Sequence, residues 1–220
     1  VKKLVLGIID FHNKLQPGYR ETFARLALGQ KPDALFIACS DSRVAVNVFA
    51  STDPGDLFVI RNVGNIIPPC GENGKSMSDE SEAAAIEFAL NHLNVSHIVI
   101  CGHAECGAMK AIAGGRRKVT TPHLRDWLRH GERALQGAST PIAAEGVNDL
   151  SKQNVLLQIE HLKSYPDVRR RLAEGNLQIH GLWFDLPNAN VYYYDRELNE
   201  FVILDQATGD RILPGMEKTK

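Results

Sequence analysis

The chain has 220 residues, 44% of them hydrophobic and 23% charged, which excludes a disordered chain and suffices for one domain with a full core. Lys and Arg number 25 against 26 Asp and Glu, a net charge of -1, so no basic excess points to nucleic acid. No apolar run approaches the roughly 18 residues of a membrane span, and four cysteines, at 39, 70, 101 and 106, are too few for a secreted disulfide scaffold and suit a reducing cytoplasm.

Residues 1–9 have the charged and apolar parts of a secretion signal, but the apolar part is short and Asp10, His12 and Asn13 follow without a small-residue cleavage site. Leu4, Ile8, Phe11 and Leu15 recur instead at helical spacing, which predicts an amphipathic helix, and a second helical pattern covers 18–28. Beyond it, short β-branched runs predict strands at 35–39, 57–61, 97–102, 177–184, 191–195 and 201–204. Helical patterns fill the gaps at 78–93, 107–113, 122–135, 148–162 and 166–173, and 137–146 is a loop of small residues. Strand, helix, strand alternation predicts an α/β fold: a single domain with a mostly parallel central sheet flanked by helices. The last two strands, joined by Arg196-Glu197-Leu198-Asn199-Glu200, predict an antiparallel edge hairpin. The single domain, 1–220, then divides into a helical arm at 1–30, a core at 31–205 and a C-terminal tail at 206–220.

Open parallel sheets bind ligands outside the carboxyl ends of their strands. There the sequence places Cys39-Ser40-Asp41-Ser42-Arg43, Arg61-Asn62-Val63-Gly64-Asn65 and Gly102-His103-Ala104-Glu105-Cys106-Gly107. His103 and Cys106, three apart, can share one ion, and Cys39 from a neighbouring strand end completes two sulfurs and a nitrogen. That donor set suits zinc, and three protein ligands leave the position a catalytic site keeps for water. A closed structural site with Asp41 as fourth ligand is the alternative. Asp41 and Arg43 project the same way on an extended segment and can pair. Cysteine phosphatases separate Cys and Arg by five residues, and only three separate Cys39 from Arg43. Gly107 and Gly114-Gly115 likewise fail the dinucleotide-binding glycine pattern.

The three blocks, the third extended through Ala108 and Met109, resemble in order and spacing the signature blocks of the β-class carbonic anhydrases. The resemblance implies zinc on Cys39, His103 and Cys106, one Zn2+ per chain, an Asp41/Arg43 dyad, and reversible hydration of carbon dioxide to bicarbonate by attack of zinc-bound hydroxide. It also implies a homodimer as minimal unit, with N-terminal helices wrapping the partner, and often tetramers or octamers. Two thiolates give the metal more charge than histidines do, so the enzyme is expected to work better in mildly alkaline conditions. In the plant-like, non-allosteric subclass a Gln nine residues before the first zinc Cys and a Phe nineteen after it line the substrate pocket, and Gln30 and Phe58 match both. A third pocket position, usually Tyr, is Phe88 here; Val63 and the backbone N–H of Gly102 complete the implied substrate contacts. The family's Gly-rich stretch before that helix is replaced by acidic residues at 78–82. Switched members carry a Trp three residues before the first zinc Cys, where this chain has Phe36, although Arg61 resembles the Arg of their bicarbonate site. A relative acting on a close heteroallene such as carbon disulfide would show the same blocks. None of His12, His92, His97, His123, His130, His161 and His180 stands out as a proton shuttle, and Cys70 and Cys101 read as spare thiols.

Overall fold

The apolar runs become six strands of one sheet in a computed structural model that describes residues 1–78, 80–137 and 146–216. They are β1 (Ala34–Cys39), β2 (Leu57–Asn62), β3 (His97–His103), β4 (Gln178–Asp185), β5 (Asn190–Asp195) and β6 (Glu200–Ile203), each within one residue of its predicted bounds at either end. Their spatial order is β2-β1-β3-β4-β5-β6, with β2, β1, β3 and β4 mutually parallel and β5 and β6 antiparallel. All six residues of β1 are buried, as expected of an inner parallel strand covered on both faces.

Side chains alternate across the sheet. Leu35, Ile37, Ile98, Ile100 and Ile179 face one core, closed by α4 (Ser81–Asn91), α7 (Gly146–Leu162) and α8 (Pro166–Ala173). Phe36, Ala38, Cys101 and Phe184 face the other, with Val46 of the short helix α3 (Val46–Phe49). A third cluster lies beyond the carboxyl ends of the strands, where Ile66 meets Met109 and Ile112 of α5 (Gly107–Ala113) and Leu128 of α6 (Pro122–Leu128).

The helix expected over 122–135 is α6 followed by eight residues of 3-10 helix, Arg129–Gln136. The helix expected from 78 starts only at Ser81. Asp79 of the acidic segment, most of the small-residue loop at 137–146 and the last four residues of the tail lie outside the described residues. The tail at 206–220 contains a helix that the sequence pattern did not predict, α9 (Gln206–Met216), tied to the sheet by Arg211 to Asp195 and by Gln178 Nε2 donating to the Gly215 carbonyl at 3.0 Å. The arm is α1 (Lys2–Asp10), a π turn (Phe11–Leu15) and α2 (Gln16–Leu26), and it buries none of its own residues. Among the described residues, no helix is long and apolar enough to cross a membrane.

Candidate metal centre

β1 and β3 are neighbours whose chain continues to opposite sides, from β1 to β2 and from β3 toward β4. A crevice opens at such a point, and Cys39 ends β1 where His103 ends β3. The chain then turns through Glu105, whose φ of +57° lies in the left-handed region, before Cys106 caps α5. That turn is held from both sides: the Glu105 N–H donates to Asn148 Oδ1 at 2.9 Å, and its carbonyl accepts from Arg43 Nη2 at 3.1 Å. His103 and Cys106 are thereby brought onto Cys39, and the three ligand atoms lie within 4.8 Å of one another in fully buried residues.

The donor set fits a zinc ion, whose tetrahedral ligands stand about 3.5–4 Å apart. His103 Nδ1 is 2.8 Å from the Ala104 carbonyl, an arrangement in which Nδ1 carries the proton and leaves the lone pair on Nε2. Nε2 is buried and has no hydrogen-bond partner among the described residues. An orphaned buried acceptor is costly unless a ligand meets it, and a cation between the two sulfurs does so. The sulfurs point the same way. The Cys106 S–H donates to Cys39 and draws its thiol below the ordinary range against the cost of burial, and the Gly64 N–H points at the same sulfur at 3.3 Å. The same thiolate, together with burial, pushes Cys106 far up. Two adjacent buried thiols share one proton; a dication lets both ionise.

Asp41 stands beside this triad, its Oδ2 3.9 Å from His103 Nε2. Arg43 grips it by three bonds: the backbone N–H and Nε donate to Oδ1 at 3.0 and 2.9 Å, and Nη2 donates to Oδ2 at 2.6 Å. The guanidinium bond holds the Asp41 carboxyl well below the usual carboxylate range. Arg61 fixes the backbone beneath, donating to the Cys39 carbonyl at 2.8 and 3.0 Å and to the Asp41 carbonyl at 2.7 Å.

Helix α7 supplies the remaining support, which the sequence reading missed. Ser151 Oγ donates to the His103 carbonyl at 2.8 Å, Asn154 Nδ2 to the Gly64 carbonyl at 3.0 Å, and Gln158 Oε1 accepts the Ile67 N–H at 2.8 Å. Ser151, Asn154, Gln158 and His161 form one stripe at helical spacing, and a polar stripe opposite the solvent face was the available signal.

Of the predicted site residues, the structure brings Cys39, Asp41, Arg43, Val63, His103 and Cys106 to one crevice, and leaves Gly102 inside β3. Gly102 precedes His103 where α7 comes closest; a Cβ there would sit 2.8 Å from Val155 Cγ2. Gln30, Phe58 and Phe88 are placed apart. Gln30 is exposed between α2 and β1, and the Phe58 ring lies 5.7 Å from that of exposed Phe88. Register pairs Phe58 with Leu35 and Asn62 with Cys39, so Phe58 sits four residues, about 13 Å, down the sheet from the triad.

Residues 34–191 match a family model described as carbonic anhydrase. A carbonic anhydrase of Synechococcus elongatus is 37% identical over 211 residues, covering 94% of this chain and 76% of the relative. The solved structure of the beta-carbonic anhydrase CcaA superposes with a TM-score of 0.85 at 36% identity, over 93% of this chain and 92% of the other. A structure from work on two tetrameric beta-carbonic anhydrases of Sordaria macrospora gives 0.68 at 30% identity, over 87% and 92%.

Proposed function

The chain belongs to the β-class carbonic anhydrase family and catalyses the zinc-dependent, reversible hydration of carbon dioxide, and from that premise we propose that its site works in an open form, with Asp41 held by Arg43 away from the metal position. Zinc on Cys39, His103 and Cys106 supplies the Lewis acidity that makes a water molecule nucleophilic near neutral pH. Asp41 accepts the hydrogen bond of that water and so aims its lone pair at the substrate. Arg43 keeps both carboxylate oxygens occupied, so that Asp41 serves as an acceptor and not as a fourth ligand. Carbon dioxide rests against exposed Val63; the Gly102 N–H, paired in register with Trp183 and two residues before the Ala104 N–H that donates to the Phe184 carbonyl, faces β4 and not the substrate.

The observation that carries this reading is the position of Asp41: within 3.9 Å of a ligand nitrogen, yet gripped by three bonds from Arg43. Two further features support the unswitched, plant-like subclass. Phe36 is buried with its ring 6.3 Å from that of Phe49 and offers no donor, and the Arg61 guanidinium is committed to backbone carbonyls. Initial rates of hydration measured against bicarbonate test it: simple competition is expected, and cooperative inhibition would place the chain in the switched subclass.

The distance of Gln30, Phe58 and Phe88 from the triad of their own chain leads to the assembly. In this reading they line the pocket of a second copy, brought there by a homodimer in which the exposed arm wraps its neighbour. Such dimers are the units of larger oligomers, and the Sordaria relatives are tetrameric. Four free thiols suit a reducing compartment, and we assign the chain to the cytoplasm.

A further inference from the structure

The peptide group between Val63 and Gly64 is bonded at both ends. Its N–H donates to the Cys39 sulfur at 3.3 Å, and its carbonyl accepts the indole N–H of Trp127 at 2.7 Å. The plane of this peptide is fixed. Gly64 has φ of +85°, a Cβ there would lie 2.8 Å from the Cβ of Ala108, and the next carbonyl is held by Asn154 at 3.0 Å. Trp127 is placed as firmly, at the last turn of α6 with its ring edge-on to His130 at 6.3 Å.

A carbonyl that accepts a hydrogen bond makes the N–H of the same peptide a stronger donor, by roughly 10–30% per bond in a chain. Donors to a metal-bound thiolate withdraw charge from the sulfur and tune what it gives the metal. We propose that Trp127 is a positioning residue for the Cys39 thiolate: its indole N–H orients and polarises the Val63–Gly64 peptide, whose N–H then draws charge from the sulfur. The inference rests on Cys39 being a metal ligand. Trp127 also walls a cavity of about 490 Å³ with Val63, His123 and Leu124. A wall needs only bulk, which Phe supplies; the bond needs the N–H.

The test replaces zinc with cobalt(II) and records the thiolate-to-cobalt charge-transfer absorption in the near ultraviolet. Hydrogen bonds lower the energy of the sulfur lone pair, so a weaker donor at Gly64 moves the band to longer wavelength. That shift is expected in Trp127→Phe, and equally in Trp127→benzothienylalanine, which swaps the N–H for sulfur without changing the shape of the ring, both with one metal per chain. A band present in the parent and unmoved in the benzothienylalanine variant overturns the role of Trp127 alone. No thiolate band in the parent would overturn the ligand assignment and this proposal with it.

Discussion

The side chain of Arg43 is 50% exposed and that of Asp41 beneath it 17%, so solvent screens the pair and its worth lies in orientation more than in ion-pair energy. Arg43→Ala should therefore fold and bind zinc but free Asp41 to occupy the water position, lowering kcat by about tenfold to a hundredfold, the worth of a charge-assisted hydrogen bond. Stopped-flow hydration checks it; wild-type rates at every pH would end the dyad reading. Asp41→Asn should keep full zinc and lose about a hundredfold or more in kcat, because an amide is a poorer acceptor than an anion. With its pKa held below the ordinary range, Asp41 is ionised wherever the enzyme works. The rate profile should then show one ionisation near neutral or alkaline pH, and none from this carboxylate. Cys106→Ser leaves two ligands; elemental analysis at neutral pH should find most of the zinc gone.

Helix α7 lies behind the site and holds the loops after β2 and β3, and the 3-10 helix at His130, by side chains that it buries among apolar neighbours. Gln158 takes the Ile67 N–H, donates to Asn154 Oδ1 at 2.8 Å and reaches the His130 carbonyl at 3.3 Å. Gln158→Leu fills the space but strands these groups, at a cost of about 2–4 kcal/mol, visible as a lower urea midpoint. The strands were legible because β-branched runs bounded by turn residues leave few alternatives, and the triad because Cys and His at adjacent strand ends have a chemistry of their own. Helix α9 was not: Gly209, Pro214 and Gly215 interrupt its pattern, and it is kept by contacts with β4 and β5 that no local window contains. Ser151, Asn154 and Gln158 left a stripe in the sequence but not its meaning, since a polar residue on a helix reads as solvent-facing until its partner strand is known. Gln30, Phe58 and Phe88 came from family likeness alone, and spacing within one chain gave no hint of their distance from the zinc ligands.

Across the whole molecule, buried histidines set the acid limit. Burial, with nearby positive charge, brings His130 and His180 down to about 4, and His97 and His161 are lowered too. His97 Nδ1 lies 3.0 Å from His180 Nε2, an arrangement that holds with at most one added proton. An unfolded histidine takes up its proton near 6.5, so the folded state has its full advantage above that pH and loses it as pH falls toward about 4. Unfolding free energy should decline over that window, and a flat profile from pH 7 to 4.5 would contradict the neutral assignments. The arm sets a different limit. Its apolar stripe is bare, with Leu4 66%, Ile8 59% and Leu15 55% exposed, and near its end Leu26 rests against Gly55. In proteins most helical stability comes from packing of the apolar face and not from propensity. If a second copy covers it, its order obeys mass action: on dilution, the helical circular-dichroism signal of residues 2–26 should fade before the zinc is lost, and the melting temperature should climb with protein concentration.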